Sequence, residues 1–394
     1  MKFETNYPFV LVHGMMGFGQ DELLNKLVPY WGMLSGALEP CLKALGIKEI
    51  YNPSVGKYSS AWDRACELYA QLVGGTVDYG EAHSKKYGHS RYGRTYKKPL
   101  FEGFGPDKKV NLFGHSFGSA TIRLFASLMA YGSEEEKEAT PENELSDLFK
   151  GGKADWIFSI TAIAGVHEGT TLLYALPRFM DKFEDVTYML ANISGDNLLG
   201  KLYESHMEQW GLIGFENGKV VSKPFNRSIQ KKIKESHDNV WYDLTLQGAK
   251  ELNERIQIVP EIYYFSWACC KTTQMFFNPK PRQTPRFSMC PLFFAFSHAI
   301  GKYSKNTIDD YPIDEMWLQN DGLVSTVSEL APFNEPHMDL HDCKTSPKKG
   351  IWYVCDTIPL DHLGVCGGFL PPTPAPQLQK LYVDHARLIC QLKK

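Results

Sequence analysis

A serine flanked by glycines, between an apolar run and a helix-compatible segment, constrains this sequence more than any other feature. Residues 110–118 read VNLFGHSFG, and residues 119–130 can continue as a helix. The pattern predicts a strand, a sharp turn and a helix, with the Ser116 hydroxyl exposed on the turn, a geometry known as a nucleophile elbow. Gly114 and Gly118 let the strand and the helix approach closely. A glycine-rich turn in any packed domain can show the same short motif, so partner residues must support the prediction.

A second glycine-rich segment lies near the N-terminus. Residues 7–12 (YPFVLV) read as a buried strand and lead into residues 13–19 (HGMMGFG). Such a loop can bring backbone N–H groups to a substrate oxygen. The N–H groups of Met15 and of Phe117, which follows the serine, are therefore predicted to bind the oxyanion of a tetrahedral intermediate.

The acid and the base of a Ser–His–Asp set are expected after the serine, in that order. Asp321 lies in an Asn-Asp-Gly sequence beside apolar residues, and His362 comes late in the chain. His362 would accept the Ser116 proton and later return it to the leaving alcohol, while Asp321 fixes the imidazole tautomer. Asp-Gly is also a common turn pair and the chain has 12 histidines, so the joint order after Ser116 carries the assignment.

A candidate metal site lies between the first glycine-rich segment and the elbow. His83 and His89 are six residues apart and follow the carboxylate of Asp63. Imidazole and carboxylate are ordinary zinc ligands, and a closed set of four would be structural. Asp243 is the candidate for the fourth ligand. The alternative is that two solvated histidines simply lie in the polar segment 82–91.

Several longer strings resemble the Geobacillus and staphylococcal lipases, bacterial lipase family I.5. They are residues 62–67 (WDRACE), 69–80 (YAQLVGGTVDYG), 92–96 (YGRTY), 242–244 (YDL) and 320–322 (NDG). The resemblance implies an α/β-hydrolase fold, with a mostly parallel central sheet flanked by helices, and triacylglycerol lipase activity. It also implies site residues: the triad Ser116, Asp321 and His362, and the structural zinc ligands Asp63, His83, His89 and Asp243.

The same resemblance implies the domain organisation. Residues 1–394 form one α/β-hydrolase domain with two additions. Residues 60–98 and 235–250 form a zinc-binding extra region, and residues 171–235 form a helical lid or cap.

An amphipathic helix supports the lid. Phe179, Phe183, Val186 and Leu190 recur at helical spacing and define one apolar face. A helix that packs on the sheet would show the same pattern. As a lid, the helix would cover the serine in water and turn its apolar face to lipid when it opens.

One departure from the resemblance concerns calcium. Geobacillus-type lipases bind calcium through a glutamate and an aspartate after the catalytic histidine, whereas residues 363–368 (LGVCGG) contain no carboxylate. Calcium prefers several oxygen ligands, charged ones in particular. We therefore expect no calcium site here.

Composition limits the partners. The chain has 394 residues, of which 43% are hydrophobic, a net charge of −3 and no basic stripe, so a nucleic acid is not expected as a partner. No apolar run reaches transmembrane length. We expect a monomer that meets an acylglycerol or another ester at a lipid–water interface. The family resemblance implies secretion, but the N-terminus leaves no room for a signal peptide, so an intracellular location stays open.

Four other functions remain open at this point. A short-chain carboxylesterase or a polyester hydrolase would use the same triad. A zinc-dependent metallohydrolase would activate water on the metal and would not need Ser116. A binding protein could also keep the fold without catalysis.

Overall fold

The computed structural model describes residues 3–191, 204–216, 219–222, 226–275, 280–305, 307–308 and 311–394. The strands are β1 (Phe9–Val12), β2 (Ile50–Tyr51), β3 (Gly75–Asp78), β4 (Tyr92–Tyr96), β5 (Val110–His115), β6 (Ile157–Ile163), β7 (Ile213–Glu216), β8 (Lys219–Ser222), β9 (Tyr263–Trp267), β10 (Thr272–Gln274), β11 (Gln283–Pro285), β12 (Thr307–Ile308), β13 (Tyr311–Pro312), β14 (His337–Asp339) and β15 (Trp352–Val354).

The α-helices of the described residues are α1 (Leu23–Leu27), α2 (Glu39–Leu45), α3 (Ala61–Val73), α4 (Glu81–Tyr87), α5 (Gly118–Tyr131), α6 (Glu134–Ala139), α7 (Asp147–Lys150), α8 (Leu172–Ala175), α9 (Pro177–Ala191), α10 (Arg227–Ser236), α11 (Val240–Asp243), α12 (Leu246–Arg255), α13 (Phe294–Gly301), α14 (Thr326–Leu330) and α15 (Ala375–Cys390). None of them combines the length and apolar character needed to traverse a bilayer.

Seven parallel strands form the central sheet, in the order β14-β15-β9-β6-β5-β1-β2. Every residue of β1, β5, β6 and β9 is buried. Parallel strands covered on both faces are typically apolar along most of their length, which explains the apolar runs in the sequence. The polar residues that interrupt these runs, Asn111, Ser159, Thr161 and Ser266, are buried as well. The α/β-hydrolase prediction is confirmed.

Successive side chains of β1 enter different cores, because side chains alternate across a strand. Val10 and Val12 pack into the core that also contains α3 and α5, whereas Phe9 and Leu11 pack into the core that contains α2 and α15. Helices therefore cover both faces of the sheet.

The structure places regular elements in both segments that were predicted as a zinc-binding region and as a lid. Residues 60–98 contain α3, α4 and the antiparallel β3–β4 ribbon, which lies outside the central sheet. Residues 171–235 contain α8, α9, α10 and the β7–β8 ribbon. Residues 192–203, 217–218 and 223–225 of that segment lie outside the described residues.

The apolar face predicted for α9 is not its buried face. Phe179 and Val186 are 49% and 47% exposed. The side that faces the protein instead carries Met180, Thr187, Tyr188 and Ala191. The predicted face is partly covered at its edge: the Phe179 ring centroid lies 5.4 Å from that of Phe296 in α13, and half-buried Phe183 packs against the core with its ring 5.7 Å from that of Trp241. Helical periodicity predicts that residues share a face, but not which face the fold covers.

Candidate active site and metal centre

The elbow forms because two glycines remove steric clashes that any side chain would create. A Cβ atom at Gly114 would lie 2.5 Å from the Gly118 carbonyl oxygen, and one at Gly118 would lie 2.4 Å from the Val12 carbonyl oxygen. Ser116 itself has a φ of 54°, a left-handed conformation that is strained for a residue with a side chain. The turn therefore raises the serine at the carboxyl end of β5, beside the loop that follows β1.

Three predicted residues from distant parts of the chain meet at this turn. His362 Nε2 lies 2.8 Å from Ser116 Oγ, and His362 Nδ1 lies 2.5 Å from Asp321 Oδ2. The chemistry of the groups sets the direction, since an ionised carboxylate only accepts: Nδ1–H donates to Asp321, which leaves Nε2 to accept from the serine hydroxyl. The backbone N–H of His362 also donates to the Asp321 carbonyl oxygen at 3.0 Å. Ser116 is 9% exposed and His362 is 3% exposed.

The surroundings of Asp321 favour its charged form. Burial alone would raise the pKa of this carboxyl, but His362 and the backbone N–H groups of Leu323 and Val324 lower it. Those two N–H groups donate to Oδ1 at 3.0 and 2.9 Å. A carboxylate held in this way keeps its orientation toward the imidazole.

The predicted oxyanion donors flank Ser116. A Cβ atom at Gly14 would lie 2.8 Å from the Ser116 Cβ, so the loop that continues into Met15 lies against Ser116. In the described part of the chain, neither the Met15 N–H nor the Phe117 N–H donates to a protein acceptor. The Phe117 side chain is buried beneath the turn, where the Arg64 guanidinium lies 5.2 Å from its ring centroid.

A directed hydrogen-bond chain, which the sequence did not indicate, joins that loop to the base. The Gly14 N–H donates to the Tyr30 hydroxyl at 3.0 Å, and that hydroxyl lies 2.6 Å from His115 Nδ1. His115 Nε2–H donates to the His362 carbonyl oxygen at 2.8 Å, so Nδ1 must accept from Tyr30. Burial, and then the His362 ring, lower the pKa of His115 to about 3. His115 is therefore a neutral structural imidazole with one fixed tautomer.

A second buried group of carboxylates and imidazoles lies elsewhere, and we name it the Asp63 cluster: Asp63, His83, His89 and Asp238. Asp63 lies in the first turn of α3, His83 in α4, His89 just beyond α4, and Asp238 just before α11. One ligand atom from each residue lies within 4.8 Å of all the others.

Four inward-facing atoms of this cluster have no hydrogen-bond partner outside it among the described residues: Asp63 Oδ1, His83 Nε2, His89 Nε2 and Asp238 Oδ2. Within the cluster, His83 Nε2 lies 3.3 Å from Asp63 Oδ1, and His89 Nε2 lies 3.1 Å from Asp238 Oδ2. His89 Nδ1 lies 2.9 Å from the Ser90 carbonyl oxygen, so this nitrogen carries the proton and Nε2 presents a lone pair. Gln209 Nε2 donates to Asp63 Oδ2 at 2.6 Å and leaves Oδ1 facing the cluster. Four buried ligand atoms that converge on one another, with no partner outside the cluster, fit a four-coordinate metal ion with no open position.

Charge balance agrees with this fit. Burial lowers the pKa of His83, but the Asp238 and Asp63 carboxylates outweigh it and raise the pKa to about 10. Two carboxylates and two neutral imidazoles balance one divalent cation, and in its absence the imidazoles must take up protons instead.

The prediction of Asp243 as the fourth ligand is wrong for the described geometry. Its carboxylate accepts the Ala61 N–H at 2.8 Å and so caps the start of α3, while Asp238, five residues earlier, faces the two imidazoles. Both aspartates fall within the predicted 235–250 segment, and no spacing rule separates a helix cap from a ligand. The His-Asp-Asn sequence at 237–239, directly before α11, was the available signal.

An apolar cluster borders the base and the acid. Leu363 and Leu323, each one or two residues from His362 or Asp321, pack against the buried residues Met289, Cys290 and Phe293. Phe296 belongs to the same cluster and contacts Phe179 of α9. The apolar surface beside His362 and Asp321 therefore continues to the predicted lid helix α9.

A parallel sheet with a strained serine after β5, and an acid and an imidazole that follow in order, defines an α/β hydrolase. Residues 5–370 match the family described as "Lipase-like, C-terminal domain", and the chain belongs to that family.

Named relatives agree. The chain is 34% identical to Lipase 1 of Staphylococcus aureus over 358 residues, which are 90% of this chain and 50% of that protein. It thus spans about half the length of the curated relatives it matches.

Solved structures match over most of their length. EstA from Clostridium botulinum is 36% identical with a TM-score of 0.80, over 100% of this chain and 89% of that one. Staphylococcus hyicus lipase is 30% identical with a TM-score of 0.79, over 98% and 96%. Lipase 1 from Pelosinus fermentans is 35% identical with a TM-score of 0.77, over 99% and 100%. The resemblance to the staphylococcal-type lipases is confirmed.

Proposed function

We propose that this protein is a serine carboxyl-ester hydrolase that acts on acylglycerols through an acyl-enzyme on Ser116. The hydrogen-bond chain from Ser116 Oγ through His362 to Asp321 carries the proposal, because it supplies a nucleophile, a base and an orienting carboxylate in one line. The family and the names of the relatives supply the class of bond.

In the proposed reaction, Ser116 Oγ attacks the ester carbonyl carbon while His362 Nε2 accepts its proton. The oxyanion would accept hydrogen bonds from the Met15 and Phe117 N–H groups. His362 then returns the proton to the leaving alcohol, and the acyl group remains on Ser116. Water attacks the acyl-enzyme with the same base, which releases the acid and restores the serine.

Two observations favour a long-chain ester at an interface. The nucleophile and base are nearly inaccessible, so a cover must move before a substrate can enter. Phe179, Val186 and Met189 of α9 are exposed and apolar, and α9 contacts the apolar cluster beside the base through Phe179 and Phe296. We assign α9 to the lid. Its exposed side would bind the lipid surface.

For the metal, we propose a structural zinc ion bound by the Asp63 cluster. When bound, zinc would cross-link α3, α4 and the segment before α11, and it would take no part in the ester chemistry. A link to the active site exists within the protein. Arg64, the neighbour of Asp63, donates to the Gly56 carbonyl oxygen at 2.9 Å, to Thr121 Oγ1 at 2.8 Å and to the His13 carbonyl oxygen. The region that holds the metal therefore also supports the oxyanion loop.

A fluorophosphonate probe tests the nucleophile. We expect one label per chain at Ser116, blocked in Ser116→Ala, with hydrolysis lost in both the labelled protein and the variant. Hydrolysis that survives in Ser116→Ala but disappears on mild chelation would instead establish a metallohydrolase.

A series of glycerol esters, from short to long acyl chains, tests the substrate class. We expect the rate to rise when long-chain substrate exceeds its solubility and forms an interface. A rate that saturates below that limit and favours short chains would identify a short-chain esterase instead.

A further inference from the structure

Glu329 is a buried carboxyl group beside the triad that the proposed mechanism does not use. It lies in α14, eight residues after Asp321, and its side chain is fully buried. Ligand atoms of Glu329, Asp321 and His362 all lie within 4.8 Å of one another. Two carboxyl groups therefore share one buried site with a single imidazole.

The backbone holds Glu329 in place. Glu329 Oε2 accepts the Cys269 N–H at 2.6 Å, and Thr326 Oγ1 of the same helix donates to the Cys269 carbonyl oxygen at 2.8 Å. Both groups of Cys269 are thus bound to α14. Glu329 Oε1, by contrast, has no hydrogen-bond acceptor or donor assigned to it among the described residues.

The groups around Glu329 decide its charge. Asp321, His362 and the thiols of Cys269 and Cys270 face it, and none of the described Lys or Arg side chains pairs with it. Burial, followed by the Asp321 charge, raises the pKa of Glu329 well above its ordinary value. Asp321 keeps its charge because His362 and two backbone N–H groups stabilise it. Like charges this close cannot both be ionised in a buried site, so the proton belongs to Glu329.

We propose that Glu329 is a protonated positioning residue whose Oε1–H donates a hydrogen bond to the Asp321 carboxylate and so tunes the base strength of His362. The inference rests on the proposed function. The donated hydrogen bond withdraws negative charge from Asp321, which weakens its stabilisation of the imidazolium that forms when His362 accepts a proton.

Two substitutions at one position separate this role from packing. Glu329→Gln keeps a neutral donor of the same shape and an acceptor for the Cys269 N–H, whereas Glu329→Leu removes both. For Gln we expect kcat and the acid limb of the pH profile of kcat/KM to match the wild type. For Leu we expect the acid limb of the kcat/KM profile to move to higher pH, because Asp321 then keeps its full negative charge and stabilises the imidazolium more strongly.

The position of the acid limb of the kcat/KM profile in Glu329→Gln distinguishes a protonated from an ionised Glu329. If Glu329 were ionised, Gln would remove a negative charge near His362 and the acid limb would move to lower pH. That result would overturn the proposal, as would a Glu329→Leu profile that superimposes on the wild type while only Tm changes.

A stability measurement reads the proton without any activity. A group whose pKa is higher in the folded than in the unfolded protein stabilises the fold fully at pH values below its unfolded pKa, which is near 4.5 for this glutamate. That stabilisation is lost as the pH rises toward the pKa of the folded state. The Tm of the wild type relative to Glu329→Gln should therefore fall as pH rises from about 4 to 8. A constant difference would refute the protonated glutamate even if hydrolysis is confirmed. Absence of hydrolysis in the wild type would refute the proposed function alone.

Discussion

The Ser116 cluster (Ser116, His362 and Asp321) and the Asp63 cluster contain the same kinds of group in opposite states. In the first, each reacting atom has a partner within the protein: the hydroxyl meets the imidazole, and the imidazole meets the carboxylate. In the second, four inward-facing atoms converge on one another and have no partner outside the cluster among the described residues. A complete hydrogen-bond chain can transfer protons, whereas carboxylate oxygens and imidazole nitrogens that converge on one point favour a cation between them. The comparison indicates that arrangement, not residue type, favours proton transfer in the Ser116 cluster and metal binding in the Asp63 cluster.

The largest expected effect breaks the first cluster without unfolding the protein. Asp321→Asn keeps the shape but reverses the preferred tautomer of His362, so kcat should fall by roughly 10³–10⁴ with Tm little changed. Steady-state kinetics and thermal unfolding on the same preparation check this. A loss below about tenfold would mean that Asp321 does not orient the base.

A pair of aspartates five residues apart sharpens the second cluster. Asp238→Ala removes a proposed ligand, so bound zinc should drop well below one per chain. If the free zinc concentration is near one hundred times Kd, the free energy of unfolding should fall by about 3 kcal/mol. Asp243→Ala should keep the metal and lower the free energy of unfolding by about 1–2 kcal/mol, because the Ala61 N–H at the start of α3 loses its acceptor. Elemental analysis and denaturant unfolding measure both. The reverse pattern would restore Asp243 as the ligand.

A smaller effect is expected where the oxyanion loop is joined to the base. Tyr30→Phe removes the hydroxyl between the Gly14 N–H and His115 Nδ1. We expect kcat to fall roughly fivefold, well short of the 10²–10³ that loss of a direct oxyanion donor costs. The labelling rate with a fluorophosphonate should fall in parallel. Unchanged rates would show that the loop keeps its position without Tyr30.

The smallest expected effect is none. Residues 363–368 offer no carboxylate to calcium, so a chelator that removes calcium but spares zinc should leave Tm and activity as they were. Thermal unfolding with and without the chelator is the measurement. A fall in Tm of several degrees would reveal a calcium site built from other residues.

The elbow, the parallel sheet and the chain order of Ser116, Asp321 and His362 could be predicted from the sequence because they depend on local patterns. Apolar runs predict buried strands, and glycines two residues from a serine predict a tight strand-to-helix turn. These signals act over a few residues, and the family resemblance extends them along the chain.

Other features were beyond the sequence because they depend on which distant segments meet. Asp238 and Asp243 are the same residue type in the same segment, yet one faces two imidazoles and the other caps a helix. The covered face of α9 follows from its neighbours, not from its periodicity.

By itself, then, the sequence determined the fold class, the position of Ser116 on a strand-to-helix elbow and the existence of two polar sites. Only the tertiary structure decided which carboxylates belong to each site and that Glu329 lies against Asp321. The physical reason is that a carboxyl group acquires its role from the charges and donors within a few ångströms of it, and in this protein those come from residues far apart in the chain.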